Sequence, residues 1–286
     1  MVNDEAFTVG EHLSSDGCRW KYRHFPAQGE PRGIVVFVHG IQSHAGWYAH
    51  SCTQVAQAGY HVYFLDRRGS GMNADDRGDA PSFRRLLDDI GEFLAKLKRR
   101  TATKLRLPVF LAGISWGGKP AVALQRRHPG LIDGIVLLCP GFYPKVGPSF
   151  WQGLGIFFTR LVNPAALYPI PLNDPELFTA NPLRQEFLRD DPLRLHEATA
   201  RLMIESLRLD GYLWFTAKST SVPVLLLLAS EDRIIRNEPT REFVNSFASA
   251  DKTIIEYPGA HHTLEFEADP SRFIGDLRDW LDKHST

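Results

Sequence analysis

Cysteine is scarce: Cys18, Cys52 and Cys139 are the only three in 286 residues. They are far apart, odd in number and form no C-x-x-C, which excludes a disulfide framework or a zinc site and fits a reducing compartment. Each reads as a small buried hydrophobe. Net charge is missing as well. The 33 Lys and Arg balance 33 Asp and Glu, which argues against a dedicated nucleic-acid or anionic-membrane surface. The one basic cluster, Lys96, Lys98, Arg99, Arg100, Lys104 and Arg106, sits where a helix ends and reads as a solvated helix terminus. No apolar run approaches the ~18 residues of a membrane span. Met1-Val2-Asn3-Asp4-Glu5 lacks the basic and apolar regions of a secretory signal, so a cytoplasmic location is expected. No residues have metal-ligand spacing and no Gly-rich phosphate loop is present, so neither a metal nor a cofactor is expected. There is no internal repeat and no low-complexity linker.

What the chain does have is apolar residues in a regular rhythm. Hydrophobic residues make up 43% of it, ample for a large core. Residues 6–13 and 18–26 suggest a strand pair around a turn at Ser14-Ser15-Asp16-Gly17. Continuously apolar runs at 33–38, 60–65, 107–114, 132–138, 222–229 and 253–257 alternate with helical stretches near 46–58, 82–100, 237–249 and 270–283. That alternation predicts an α/β fold, a mostly parallel central sheet covered by helices on both faces. The rhythm breaks over 142–213, which carries clustered aromatics and prolines and no strand of that kind. It predicts a helical cap inserted into a core of 1–141 and 214–286, placed at the carboxyl end of a strand where α/β sites lie.

The most informative stretch is Val109 to Gly118, an apolar run ending in Gly113-Ile114-Ser115-Trp116-Gly117 and leading into a helix. Such a strand-turn-helix presents its serine at the tip of a cramped turn. Nucleophilic acyl transfer also needs an imidazole and an orienting carboxylate. Asp232 and His262 each follow a later strand, and the order Ser115, Asp232, His262 suits a serine on such a turn.

With His39-Gly40, the run Ser43-His44-Ala45-Gly46-Trp47-Tyr48, Asp66 to Gly71, Asp191-Pro192-Leu193 and Gly259 to Leu264, the chain resembles α/β-hydrolase-fold serine hydrolases. Within that fold it is similar to the monoacylglycerol lipase, lysophospholipase-like and serine-aminopeptidase-type branch, over about residues 10–284. The resemblance implies that His262 rather than His261 is the base and that Asp232 rather than Glu231 orients it. It implies an oxyanion hole made by the backbone N–H groups of Ile41 and Trp116. It implies substrate contacts from His44, Trp47, Phe142, Trp151, Phe157 and Phe158. His39 and Asp66 read as structural, the latter as a turn-former.

The chain departs from that pattern at Ile114, Trp116, Trp47 and Asn73, where relatives usually have His, Met, Arg and Ser. Trp116, Trp47 and Ile114 together imply a narrower, more aromatic pocket that favours short, medium or aromatic acyl groups. The expected activity is hydrolysis of a small apolar acyl ester through an acyl-enzyme, with transient lipid contact through the cap. An amidase or peptidase, a thioesterase, an acyltransferase, or a ligand receptor with a retained hydrolase pocket are the alternatives.

Overall fold

The computed structural model describes residues 7–101 and 106–285; the readings made on Met1 to Glu5 and on Lys104 lie outside them. In chain order the strands are β1 (Thr8–Leu13), β2 (Arg19–Phe25), β3 (Gly33–Val38), β4 (Tyr60–Leu65), β5 (Val109–Ile114), β6 (Gly134–Leu138), β7 (Leu167–Pro169), β8 (Glu197–Thr199), β9 (Val224–Ala229) and β10 (Lys252–Tyr257). The helices are α1 (Ala49–Gln57), α2 (Phe83–Thr101), α3 (Gly118–Arg127), α4 (Phe150–Val162), α5 (Pro182–Asp190), α6 (Ala200–Leu213), α7 (Asn237–Asn245) and α8 (Ser271–Lys283).

Eight strands form one sheet in the order β1-β2-β4-β3-β5-β6-β9-β10. The β1–β2 and β2–β4 pairings are antiparallel and all the others parallel. Every residue of β3, β5, β6 and β9 is buried, because these central strands are covered on both faces and polar side chains there would lose their water. The edge strand β1 mixes exposed and buried positions. The helix pair α1 and α8 packs together, as does the pair α2 and α3. Trp280 of α8 meets Phe110 of β5 edge-on at 5.7 Å. This is the α/β-hydrolase fold.

Between β6 and β9 the chain leaves the sheet for α4, β7, α5, β8 and α6. One feature differs from the sequence expectation: β7 and β8 pair antiparallel in a small separate sheet. Each is three residues long and one ends in Pro169, too short to show a period-two pattern. The helices of this insertion begin where the sequence supplies caps. Ser149 and Gln152 form a capping box at α4, Asn181 precedes Pro182 at α5, and the Thr199 hydroxyl accepts from Leu202 N–H at α6. The α6 helix lies against both α3 and α4, so the insertion stands over the carboxyl end of β5. Among the described residues no helix is long and apolar enough to cross a membrane.

Candidate active site

From β5 the chain passes through a tight turn, Ser115–Gly117, directly into α3. Ser115 has φ +52°, a left-handed conformation that costs a residue with a Cβ about 1–2 kcal/mol. The turn closes only with glycine on either side of the serine. A Cβ on Gly113 would stand 2.5 Å from the Gly117 carbonyl oxygen, and one on Gly117 would overlap the Val38 carbonyl oxygen.

Asp232 lies just beyond β9 and His262 just beyond β10. His262 Nε2 is 2.9 Å from Ser115 Oγ, and His262 Nδ1 is 2.7 Å from Asp232 Oδ2. The other oxygen of Asp232 accepts from the backbone N–H groups of Ile234 at 2.8 Å and Ile235 at 2.9 Å. Burial pushes the Asp232 carboxyl up, but the His262 imidazole and these two donors outweigh it and hold the group below its ordinary range. An ionised carboxylate only accepts, so Nδ1 carries the imidazole proton and Nε2 is left to accept from the Ser115 hydroxyl. Such a chain of groups can take the serine proton during attack on a carbonyl and return it to the departing group. His261, by contrast, is engaged with Glu267 through its backbone N–H at 2.7 Å and its ring at 3.1 Å, and Glu231 is exposed.

Three further groups brace the arrangement; Lys145 carried no sequence signal, Cys139 was expected only as a buried hydrophobe and Arg67 only as part of the Asp66 to Gly71 run. Lys145 Nζ donates to the Asp232 carbonyl oxygen at 2.5 Å. Cys139, at φ +41° after β6, is fully buried. Its sulfur lies within 4.8 Å of ligand atoms of Asp232 and His262, and burial pushes its thiol well up. Arg67 is buried, donates to the Ile41 carbonyl oxygen at 2.5 Å and lies over the Trp116 ring at 5.2 Å; burial lowers its pKa to about 10.

The loop after β3 approaches Ser115 closely: a Cβ on Gly40 would stand 3.2 Å from Ser115 Cβ. His39 fixes that loop. Its Nδ1 is 2.7 Å from the Gly40 carbonyl oxygen and its Nε2 accepts from Arg67 N–H at 3.1 Å. Burial first, and Arg67 second, keep His39 neutral, well below its ordinary pKa. Asp66 accepts from the N–H groups of Ala45 and Met72, which closes its turn. Among the described residues neither the Ile41 nor the Trp116 N–H has an acceptor within the chain, which leaves both free for an incoming oxygen.

A cavity of about 590 Å³ opens beside Ser115, walled by the β5–α3 turn, Ile234 and Ile235, and the insertion. Ile41, Trp116 and Phe157 line it, as do Phe150, Leu154 and Met203. Five residues expected to touch substrate stand elsewhere. His44 Nε2 and Trp47 Nε1 both meet Asp191 Oδ2, at 2.9 and 2.6 Å, so these side chains tie the loop after β3 to the insertion. Phe142 packs edge-on against Phe243. Trp151 and Phe158 of α4 face outward, 76% and 58% exposed. Ile156 is the one buried residue of this helix, and Leu154 and Phe157 beside it line the cavity while partly open to solvent. Of Trp116, Trp47 and Ile114, only Trp116 stands in the cavity wall. The Trp116 indole is held to α6 by donating to Ser206 Oγ at 2.8 Å.

The family model described as serine aminopeptidase, S33, matches residues 29–269. A monoacylglycerol lipase of Mycolicibacterium smegmatis is 27% identical over 272 residues, 94% of each chain. A soluble variant of monoglyceride lipase from Saccharomyces cerevisiae, solved with a substrate analog, matches with a TM-score of 0.87 at 23% identity, over 100% of this chain and 98% of that one. The monoacylglycerol lipase of Paleococcus ferrophilus gives 0.81 at 26% identity, over 92% and 98%. The matched residues include strands β3 to β10, the Ser115 turn, Asp232 and His262, and the chain belongs to the serine aminopeptidase S33 family of α/β hydrolases.

Proposed function

We propose that this protein is a carboxylic ester hydrolase of the lipase and esterase type, acting on apolar acyl esters through an acyl-enzyme on Ser115. The observation that carries this reading is the hydrogen-bonded series Ser115, His262, Asp232 opening on one apolar cavity. Ser115 Oγ attacks the ester carbonyl while His262 Nε2 takes its proton. The oxyanion is received by the N–H groups of Ile41 and Trp116, each such donor being worth ~3 kcal/mol in the transition state. The proton passes to the alcohol as it leaves. Water, deprotonated by the same imidazole, then frees the acid. Residues 142–213 act as the cap and 1–141 with 214–286 as the core. The relatives named as monoacylglycerol lipases favour a glyceride-like ester, and the cavity volume suits a medium or long acyl chain.

The family description also raises a peptidase. An aminopeptidase must hold a charged α-ammonium beside its nucleophile, which calls for a free carboxylate. The only carboxylate in the cavity wall, among the described residues, is Asp210, already paired with Lys119. The ester reading is therefore the stronger. The same reading includes transient lipid contact. Phe150, Trp151, Phe158, Leu161 and Val162 of α4 are exposed beside the cavity, a patch of the kind that meets an apolar surface.

A fluorophosphonate is expected to label Ser115, and Ser115→Ala to lose both labelling and turnover of a chromogenic ester series run beside matching amides. Labelling at another serine, or an active alanine variant, sinks the mechanism. Faster cleavage of the amides sinks the substrate class.

A further inference from the structure

One part of the cavity wall does not match an apolar acyl site. Lys119, in the first turn of α3, reaches Asp210 of α6, with Nζ 2.6 Å from Oδ1. The Lys119 side chain is only 6% exposed and that of Asp210 32%. From the Ser115–Gly117 turn just before α3, Trp116 donates to Ser206, one turn before Asp210 on α6. All four residues face the cavity, and their neighbours on α6, Leu202, Met203 and Leu207, are apolar. A buried ion pair seldom repays its desolvation, and apolar residues of similar size serve stability as well or better. Burial pushes the Asp210 carboxyl up against the pull of Lys119. An ammonium has three donors and a carboxylate several acceptor sites, so this one contact leaves each group with bonding capacity toward the cavity that both line.

We propose that Lys119 and Asp210, with Ser206, form a polar subsite that takes a hydroxyl group carried on the acyl chain of the substrate. The inference rests on the ester-hydrolase reading above and adds the class of acyl group. A hydroxyl suits a neutral pair because it accepts from the ammonium and donates to the carboxylate at once. A carboxylate or an ammonium brought to the same place would leave one charge uncompensated among apolar side chains. The pair is flanked by the aliphatic face of α6, where the acyl chain lies in this reading. Lys119 stands in the first turn of the helix that the serine turn opens, and Lys119 and Ser115 line the same cavity. That places the hydroxyl at an internal carbon of the chain.

The test uses p-nitrophenyl decanoate and its isomers with one hydroxyl at successive carbons, compared by kcat/KM on the whole protein. The wild type is expected to prefer at least one isomer over the plain ester by about tenfold, the scale of a hydrogen bond to a charged group. In the Lys119→Met, Asp210→Leu double variant the same isomer is expected to fall below the plain ester, because an apolar wall penalises a hydroxyl. Only the ratio within each protein is read, so a change in overall activity does not blur the result. If the double variant does not fold, the wild-type series decides alone, with Lys119→Gln expected to lower the preference. Plain decanoate turned over with every hydroxylated isomer worse overturns the subsite. So does a hydroxyl preference that survives in the variant. A preference confined to monodecanoylglycerol over ethyl decanoate puts the hydroxyl on the alcohol side and overturns the acyl placement. No turnover of any ester is a different failure, that of the ester-hydrolase reading itself.

Discussion

His262 and His261 are chain neighbours with different partners, and that difference is the most direct test of the mechanism at the scale of one residue. His262 contacts Ser115 and Asp232, whereas His261 contacts Glu267. His262→Ala is expected to lower kcat by several orders of magnitude, and His261→Ala to stay within about tenfold, since only a positioned base enters the transition state. Asp232→Asn is expected to cost up to ~10⁴-fold by favouring the wrong tautomer. Steady-state kinetics of the three variants on one ester check this, and the reverse ranking of the histidines puts the register off by one. These three side chains were legible in the sequence because each follows an apolar strand, a signal carried by its immediate neighbours. Lys145, Cys139 and Arg67 were not. They act through a backbone carbonyl, a buried thiol and a ring contact, and no local pattern marks any of these.

At the scale of elements, the loop after β3 and the insertion are held together by polar contacts. Asp191, just past α5, receives His44 and Trp47. Arg194 donates to Gln42 Oε1 at 3.0 Å, and Leu195 N–H donates to the Gln42 carbonyl oxygen at 3.0 Å. Asp191→Leu strands two buried donors, so it is expected to cost about 2–4 kcal/mol of stability. Ester kcat is expected to stay within about tenfold, because neither His44 nor Trp47 lines the cavity. Denaturant unfolding and kinetics measured side by side check this. A hundredfold loss of kcat at unchanged stability would restore His44 and Trp47 to substrate binding. The strands were readable from continuous apolar runs, and the extent of the insertion from the place where those runs stop. Which aromatics of the insertion turn inward was not readable. Trp151 and Phe157 lie on one helix in similar local sequence, and only the packing of α4 on α6 separates their faces.

For the whole molecule, buried histidines set the response to acid. Burial, helped by His61, lowers the His24 pKa to about 4. His12 and His61 are also lowered, chiefly by burial, and His39 strongly so. The unfolded chain protonates these rings near 6.5, while the folded chain resists. Between pH 6.5 and about 4 the unfolded state therefore binds more protons, and stability falls as pH falls. Below that window the depressed carboxyls of Asp79, Asp88, Asp191 and Asp232 add a further loss as they protonate. Melting temperature is expected to drop steadily from pH 6.5 downward. His24→Phe, which keeps a ring to stack on Tyr63, is expected to flatten part of the slope between 6.5 and 4. An unaltered slope in that variant removes His24 from the account.

The hydrogen bond from Ser115 to His262 spans 147 positions of the chain. A ribosome adding about 5–20 residues per second therefore delivers Ser115 roughly 7–30 s before His262. Throughout that interval the growing polypeptide carries Ser115 without the imidazole that the folded chain sets beside it. In the proposed mechanism the hydrogen-bonded series can close only once β10 pairs with β9 at the rim of the sheet, because His262 follows β10.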